Sequence, residues 1–353
     1  MIKKITVVGA GSTGHAAAAI YSMKGFEVTL FDGEKFASRL ANVEAQDGIQ
    51  LRGKVRGIGK VAKITTCVEE AIPDAELIAV HVMSPRHEEV ARTIAPYLRD
   101  GQHILIVPGN LGAFVFHRVF REMGVFADVT VTEQEGNLCP CRLTGEAEVT
   151  VGMPLKPKRI ASLPASDTGK VIQALEGVWE FKANRNVFEG ALNANNVVMH
   201  IGTTVLSASK IESMGEDFIL FQHGFTQAGI RVGGLIRDER MAVIEALGFE
   251  EHANPLGMYE KVTHPDRHPE ISVFRTLAGP DCIDHRYLTE DCSCGAAILL
   301  SFAARLGLSM PTLEAFVRVA GILTQRDYIA EGRTLENLGF SAGMSVSDIM
   351  AAV

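Results

Sequence analysis

No run of lysines and arginines capable of forming a basic patch occurs in the 353 residues, and the formal charge is −8. A polyanion such as nucleic acid is therefore excluded as the expected partner. A lipid-compatible run is missing too. The longest uncharged stretch, Ala191 to Ser209, is long enough to span a bilayer but carries three Asn, one His, two Thr and two Ser, which lipid tolerates poorly. The first apolar run, Ile5–Val8, ends at a glycine-rich turn where a signal peptide would continue and offer a small-residue cleavage site. It is read as a buried strand, with a cytoplasmic location as the expectation. Cysteine is sparse, at Cys67, Cys139, Cys141, Cys282, Cys292 and Cys294. The pairs Cys139/Cys141 and Cys292/Cys294 are spaced too closely for an ordinary zinc site, so free thiols and no metal are expected. There is no Pro/Ser-rich linker, internal repeat or low-complexity segment. What remains is 47% hydrophobic and 22% charged, the balance of a well-packed globular protein of about two domains at roughly 150 residues each.

The first half alternates short apolar, β-branched runs with amphipathic stretches. Strands are predicted at Ile5–Val8, Glu27–Phe31, Lys63–Thr66, Leu77–Val82, Ile104–Val107 and Val129–Thr132, with helices at Gly14–Ser22, Arg86–Tyr97 and Ala113–Met123. Such alternation predicts an α/β fold: a Rossmann-type parallel sheet covered on both faces. The glycine-bearing stretch Gln50–Lys60 is predicted to be a loop or hairpin, and Glu148–Val151 and Arg159–Ser162 are further strands before a helix near Thr168–Leu175. Beyond Asn184-Arg185-Asn186 helical spacing takes over, at Asp238–Leu247, Ala296–Leu306 and Thr312–Leu323. The expected domains are residues 1–185, dinucleotide-binding, and 186–353, all-α and substrate-binding.

Gly9-Ala10-Gly11-Ser12-Thr13-Gly14 has the G-x-G-x-x-G spacing, follows a strand and opens a run of small residues. Gly9 permits the tight turn, Gly11 lets backbone approach a pyrophosphate, and Gly14 allows close helix–strand packing. The N–H groups at the helix start, around Ser12 and Thr13, would receive the pyrophosphate. Asp32, at the end of the second strand, is placed to accept hydrogen bonds from the adenosine ribose hydroxyls. This favours NAD, while Lys35 and Arg39 nearby keep NADP open. Val82–Pro85 and Pro108–Gly112 follow later strands at the sheet's ligand-binding edge, where each could equally be a mere turn.

In Ala191–Ser209, the residues Asn193, Asn196, His200, Thr203 and Ser207 fall three and four apart, one polar stripe on an otherwise apolar helix. A single histidine there is readily a satisfied core residue; the whole stripe beside a dinucleotide domain points as much to a cavity. Histidine suits proton exchange during hydride transfer because its ordinary pKa of about 6.5 lies near working pH. Asp291, within Arg286-Tyr287-Leu288-Thr289-Glu290-Asp291, is the candidate carboxylate to orient it.

Gly9–Ala16, Asn196-Val197-Val198-Met199-His200 and Arg286–Asp291, with Cys141-Arg142 and Glu331-Gly332-Arg333-Thr334-Leu335-Glu336, resemble the opine dehydrogenase family over essentially the whole chain. The resemblance implies reductive joining of an amino acid to a 2-oxo acid such as pyruvate, through an imine in a water-excluding cleft. By motif it makes His200 the acid/base, Asp291 its paired carboxylate, Asn196 a substrate- or nicotinamide-orienting residue, and Arg286 a clamp for a substrate carboxylate. Cys292-Ser293-Cys294 departs from the family pattern. A homodimer is expected from the abundance of aliphatics in the helical half. Two other readings compete. Ketopantoate-reductase-like proteins reduce an oxo acid without an amine but rely on a catalytic-helix lysine, which Ala191–Ser209 lacks. A non-catalytic NAD(H) sensor would have no need of a His200–Asp291 pair.

Overall fold

The computed structural model describes residues 2–353, which form two compact units divided between Gly190 and Ala191. The division falls at 190/191, and Gly190 packs against the first unit. A Cβ on Gly190 would lie 2.7 Å from the Asn184 amide nitrogen, and the Asn184 amide donates to Glu135.

Among the described residues, twelve strands lie in the first unit: β1 (Lys4–Val8), β2 (Glu27–Phe31), β3 (Ile49–Gly53), β4 (Gly57–Gly59), β5 (Lys63–Thr65), β6 (Leu77–Val80), β7 (His103–Ile106), β8 (Thr130–Gln134), β9 (Cys141–Gly145), β10 (Glu148–Val151), β11 (Lys158–Leu163) and β12 (Phe181–Ala183). Eight form one sheet, ordered β12-β11-β8-β7-β6-β1-β2-β5. Every pair is parallel except β8 with β11. The near-continuous Val/Ile/Leu content of β1, β6 and β7 suits strands buried on both faces.

The remaining four strands make a second sheet, β4-β3-β10-β9. The predicted loop or hairpin at Gln50–Lys60 is thus an antiparallel strand pair, but β9 and β12 are absent from the sequence reading. Each alternates apolar and polar residues, but over only four residues in β9 and three in β12, too short to stand out, and each forms because an existing edge offers partners for its backbone. The second sheet lies on helix α1 (Ser12–Met23), where Ala16, Ala17, Ala18 and Ala19 are buried. A Cβ on Gly59 would come 2.3 Å from the Ala19 Cα. Small residues on both sides allow helix and sheet backbones to approach this closely.

The second unit is helical. The predicted continuous helix from Ala191 to Ser209 is broken: α-helix ends at Leu192, a π-helical turn runs Val197–Ile201, and α-helix resumes at Gly202–Leu206. A second π-helical turn, Asp291–Ala296, precedes the helix Ala297–Leu306. No helix among the described residues is long and apolar enough to cross a membrane.

Candidate functional site

Strand register places the glycine-rich turn. Val8 pairs with Phe31 on one side and Val80 on the other, so Gly9, Asp32 and His81 emerge together at one sheet edge. The Gly9 N–H donates to the Phe31 carbonyl at 2.8 Å, and the His81 N–H to the Val8 carbonyl at 2.7 Å. Gly9 has φ +112°, and a Cβ there would stand 2.5 Å from the His81 carbonyl oxygen. A Cβ on Gly14 would stand 1.7 Å from the Gly9 carbonyl oxygen, whereas one on Gly11 would meet no protein atom within 4 Å. Gly11 therefore faces open space at the start of α1, whose N-terminus has no side-chain cap. A cradle of uncapped N–H groups at a twelve-residue helix fits a pyrophosphate. Ser12 is held within it, its Oγ accepting the Leu143 N–H from β9 at 3.1 Å.

Asp32 is buried. Its carboxylate accepts the Ala10 N–H at 2.7 Å and the Gly33 N–H at 2.9 Å, and lies 3.5 Å from the Arg86 guanidinium. It braces the turn from the end of β2. Lys35, Arg39 and Arg86 gather about the Phe36 ring, each about 5 Å from its centre. Arg86 and Phe36 carried no legible signal, since neither belongs to a motif.

The two later turns also meet at this edge. Asn110 donates to the Ser84 hydroxyl at 2.9 Å, joining Val82–Pro85 to Pro108–Gly112. Asn110 and Leu111 both adopt left-handed backbone, φ +47° and +63°, an uncommon conformation for a bulky residue like Leu. Buried Glu133 holds them by accepting the Leu111 and Ala113 N–H groups at 2.9 and 2.7 Å. Gly109 fits against Glu133 only because it has no Cβ.

His81 has both ring nitrogens buried with no hydrogen-bond partner among the described residues. Burial lowers its pKa from 6.5 to about 3. Between those values the unfolded chain binds the proton and the folded chain does not, so stability falls as pH drops through that window. His81→Leu is expected to flatten the loss of urea midpoint between pH 6.5 and about 4. A slope equal to that of the wild type would place the acid sensitivity elsewhere.

In the second unit the two π-helical turns face each other. A Cβ on Gly295 would be 2.6 Å from a Val197 methyl, so the absent side chain lets the segments close. His200 Nδ1 lies 2.7 Å from Asp291 Oδ2, both residues buried, and the Asn196 amide reaches Asp291 Oδ1 at 3.5 Å. Burial pushes the Asp291 carboxyl up, and the hydrogen bond to His200 pulls it back. The Tyr287 ring stacks on the imidazole at 3.7 Å and 18°, with Phe221 at 6.4 Å. Ring orientation is thus set on one edge by a carboxylate and on one face by an aromatic. With Nδ1–H given to Asp291, Nε2 is the nitrogen available for proton exchange. π-Helical turns disrupt regular i→i+4 bonding, and the carbonyls here are met by side chains: Thr203 Oγ1 donates to Met199 and His200, Tyr259 Oη to Val198, and Ser293 Oγ to Thr289 and Glu290. Such turns are frequent at functional sites.

The sequence-predicted stripe is therefore redistributed. Asn196 and His200 reach Asp291, but Asn193 bonds the Glu250–His252 backbone, Thr203 bonds its own helix, and Ser207 marks the helix end. The π turn and the break at 193–195 change the angular spacing on which the stripe depended. Arg286 lies 3.1 Å from Glu290, so any substrate carboxylate would compete with an acid already present. Tyr287 stood inside the noted segment but without a role, because stacking has no sequence signature. Cys292 and Cys294 are buried, and burial raises both thiols, which makes them poor nucleophiles. Among the described residues no group of three or more His, Cys, Asp or Glu could hold a metal.

Residues 183–324 match the family described as NAD/NADP octopine/nopaline dehydrogenase, alpha-helical domain, and residues 4–109 match NAD-dependent glycerol-3-phosphate dehydrogenase N-terminus. An opine dehydrogenase from Arthrobacter sp. (strain 1C) is 30% identical, with 99% of each chain covered. The solved structure of an octopine dehydrogenase with NADH and L-arginine shares the fold at TM-score 0.72 and 18% identity, covering 99% of this chain and 98% of that one. A ketopantoate reductase from Ralstonia eutropha JMP134 also shares it, at TM-score 0.63 and 15% identity over 92% of this chain and 99% of that one.

Proposed function

Because this chain belongs to the opine dehydrogenase family of NAD(P)-dependent oxidoreductases, we propose that it joins an amino acid to a 2-oxo acid such as pyruvate by reductive condensation. The buried His200–Asp291 pair carries the reading. Amine and oxo acid condense with loss of water to an imine, and reduction adds a hydride to the former carbonyl carbon and a proton to nitrogen. The nicotinamide cofactor supplies that hydride when bound. The backbone of Gly9, Gly11, Ser12, Thr13 and Gly14 would hold its pyrophosphate, and Asp32 its adenosine ribose.

His200, protonated at Nε2, would donate to the departing carbinolamine hydroxyl, and Asp291 would stabilise the imidazolium from Nδ1. Stacked Tyr287 keeps the ring from turning. Asn196 reaches the same carboxylate, which supports a role in orienting substrate. Arg286 would hold a substrate carboxylate by two parallel hydrogen bonds, exchanging part of its pairing with Glu290. The reading includes a cytoplasmic homodimer, supported by exposed Leu235, Val319 and Ile322 in the second unit; sedimentation as a monomer at micromolar concentration would remove that part.

The functional test is loss of nicotinamide absorbance with pyruvate and a panel of amino acids. Oxidation requiring both pyruvate and one amine is expected, with NADH bound more tightly than NADPH because Asp32 opposes a 2′-phosphate. Oxidation with an oxo acid alone would replace the reading with simple ketoacid reduction.

A further inference from the structure

The π turn carrying His200 needs something to hold it. Relaxation to ordinary α-helix would turn each downstream side chain by about a residue's rotation, roughly 100°, and carry the imidazole off Asp291. One helix, Gln227–Ala246, meets the His200 segment along a single face. Val232, Ile236 and Arg240 recur at spacings of four, and Gly233 lies beside Val232. A Cβ on Gly202, which follows the π turn, would come 2.6 Å from a Val232 methyl. A Cβ on Gly233 would come 2.2 Å from Tyr259 Oη, and that hydroxyl donates to the Val198 carbonyl inside the turn at 2.8 Å. The third point is polar. Arg240 is 0% exposed, and its Nη1 donates to Asn195 Oδ1 at 3.1 Å and lies 3.4 and 3.5 Å from the Asn193 and Ala194 carbonyls. Its Nη2 pairs with Glu251 Oε1 at 2.7 Å, and Glu251 is itself gripped by Arg237.

We propose that Arg240, anchored by Glu251, is a positioning residue that fixes Asn193–Asn195 and thereby sets the register of the π turn that presents His200. A fully buried guanidinium is costly to desolvate, and a hydrophobic side chain would fill the same volume. What the guanidinium alone supplies is a planar fork reaching three successive residues of the incoming chain and a carboxylate at once. A lysine keeps the charge but cannot span those acceptors. The contact with Asn195 lies five residues before His200, so a shift at the anchor passes directly into the turn.

The proposal rests on His200 as the acid/base, and the test separates the two. Arg240→Lys is compared with Asn195→Leu, which removes the acceptor while leaving the Arg240–Glu251 pair, and with Asn195→Asp, which keeps an acceptor. In Arg240→Lys and Asn195→Leu, kcat with pyruvate and the preferred amine is expected to fall about 10- to 100-fold, the scale of a small misplacement of a catalytic group. Both KM values should stay within about threefold, and the NADH Kd should be unchanged. The His200 imidazole pKa, followed by NMR and assigned by its loss in His200→Asn, should move in both variants and return in Asn195→Asp. Folded variants with wild-type kcat and an unmoved His200 titration would reduce Arg240 to a core brace. If Arg240→Lys does not fold, Asn195→Leu decides. Full activity in His200→Asn would overturn the acid/base reading itself, whatever the Arg240 variants do.

Discussion

Replacing His200 with Ala is expected to lower kcat about 10²–10⁴-fold, the usual contribution of a positioned acid/base, while NADH affinity stays at the wild-type value. That loss corresponds to roughly 3–5 kcal/mol of barrier. Asp291→Asn should fall in the same range for a different reason. Its amide can present N–H to the imidazole Nδ1 and stabilise the tautomer with the proton on Nε2. The neutral amide also cannot support an imidazolium. The His200→Ala variant carries a second signature. Burial already raises the Asp291 carboxyl, and His200 is the group pulling it back; without the imidazole the folded-state pKa rises further above the unfolded value of about 3.9. A carboxyl raised in the folded state stabilises the fold fully below the unfolded pKa and loses that contribution as pH climbs through the folded one. The Tm of His200→Ala relative to wild type should therefore be highest near pH 4 and decline towards neutrality. A variant that keeps kcat within a fewfold would end the acid/base assignment, and a flat Tm difference would show the pair to be uncoupled.

The second large effect is expected in the glycine turn. At Gly14 an added Cβ would sit 1.7 Å from the Gly9 carbonyl oxygen, about half an ordinary van der Waals separation. Neither side can yield cheaply. Gly9 is itself pressed against the His81 carbonyl, at positive φ, and Gly14 is fixed in α1. Gly14→Ala should cost about 1–3 kcal/mol or more as an overpacked site, lower Tm by several degrees, and weaken NADH binding at least about 100-fold as the N–H cradle deforms. Gly11→Ala separates scaffold from ligand. Its Cβ meets no protein atom within 4 Å, so Tm should hold while NADH affinity drops if, as proposed, the pyrophosphate occupies the space the methyl enters. Wild-type Tm and NADH affinity in Gly14→Ala would contradict the packing account; unchanged affinity in Gly11→Ala would move the pyrophosphate elsewhere.

Much of the first unit is legible along the chain because its signals are local. Strand β1, the turn at Gly9–Gly14, the alanines of α1 and the carboxylate at the end of β2 lie within about thirty residues, and the turn chemistry allows few alternatives. The second sheet is less legible. Cys141–Gly145 alternates for only four residues, too few to distinguish a strand from a loop, and it is a strand because β10 supplies its backbone partners. The same holds for Phe181–Ala183, which completes the large sheet beside β11.

For the proposed acid/base pair, sequence by itself determined the residue types: a histidine in an uncharged helical stretch, and an acid in a polar segment ninety-one residues later. Tertiary structure decided everything that lets them act together. A π turn departs from the spacing that defines a helical stripe, and the groups that meet it come from far along the chain: Tyr259 donates to the Val198 carbonyl inside the turn, and Arg240 reaches Asn193–Asn195 just before it. Stacking of Tyr287 on His200, the close approach allowed by Gly295, and the bracing of Asp32 by Ala10, Gly33 and Arg86 are likewise contacts between distant segments. Their energies depend on distance and orientation in space, which spacing along the chain does not encode.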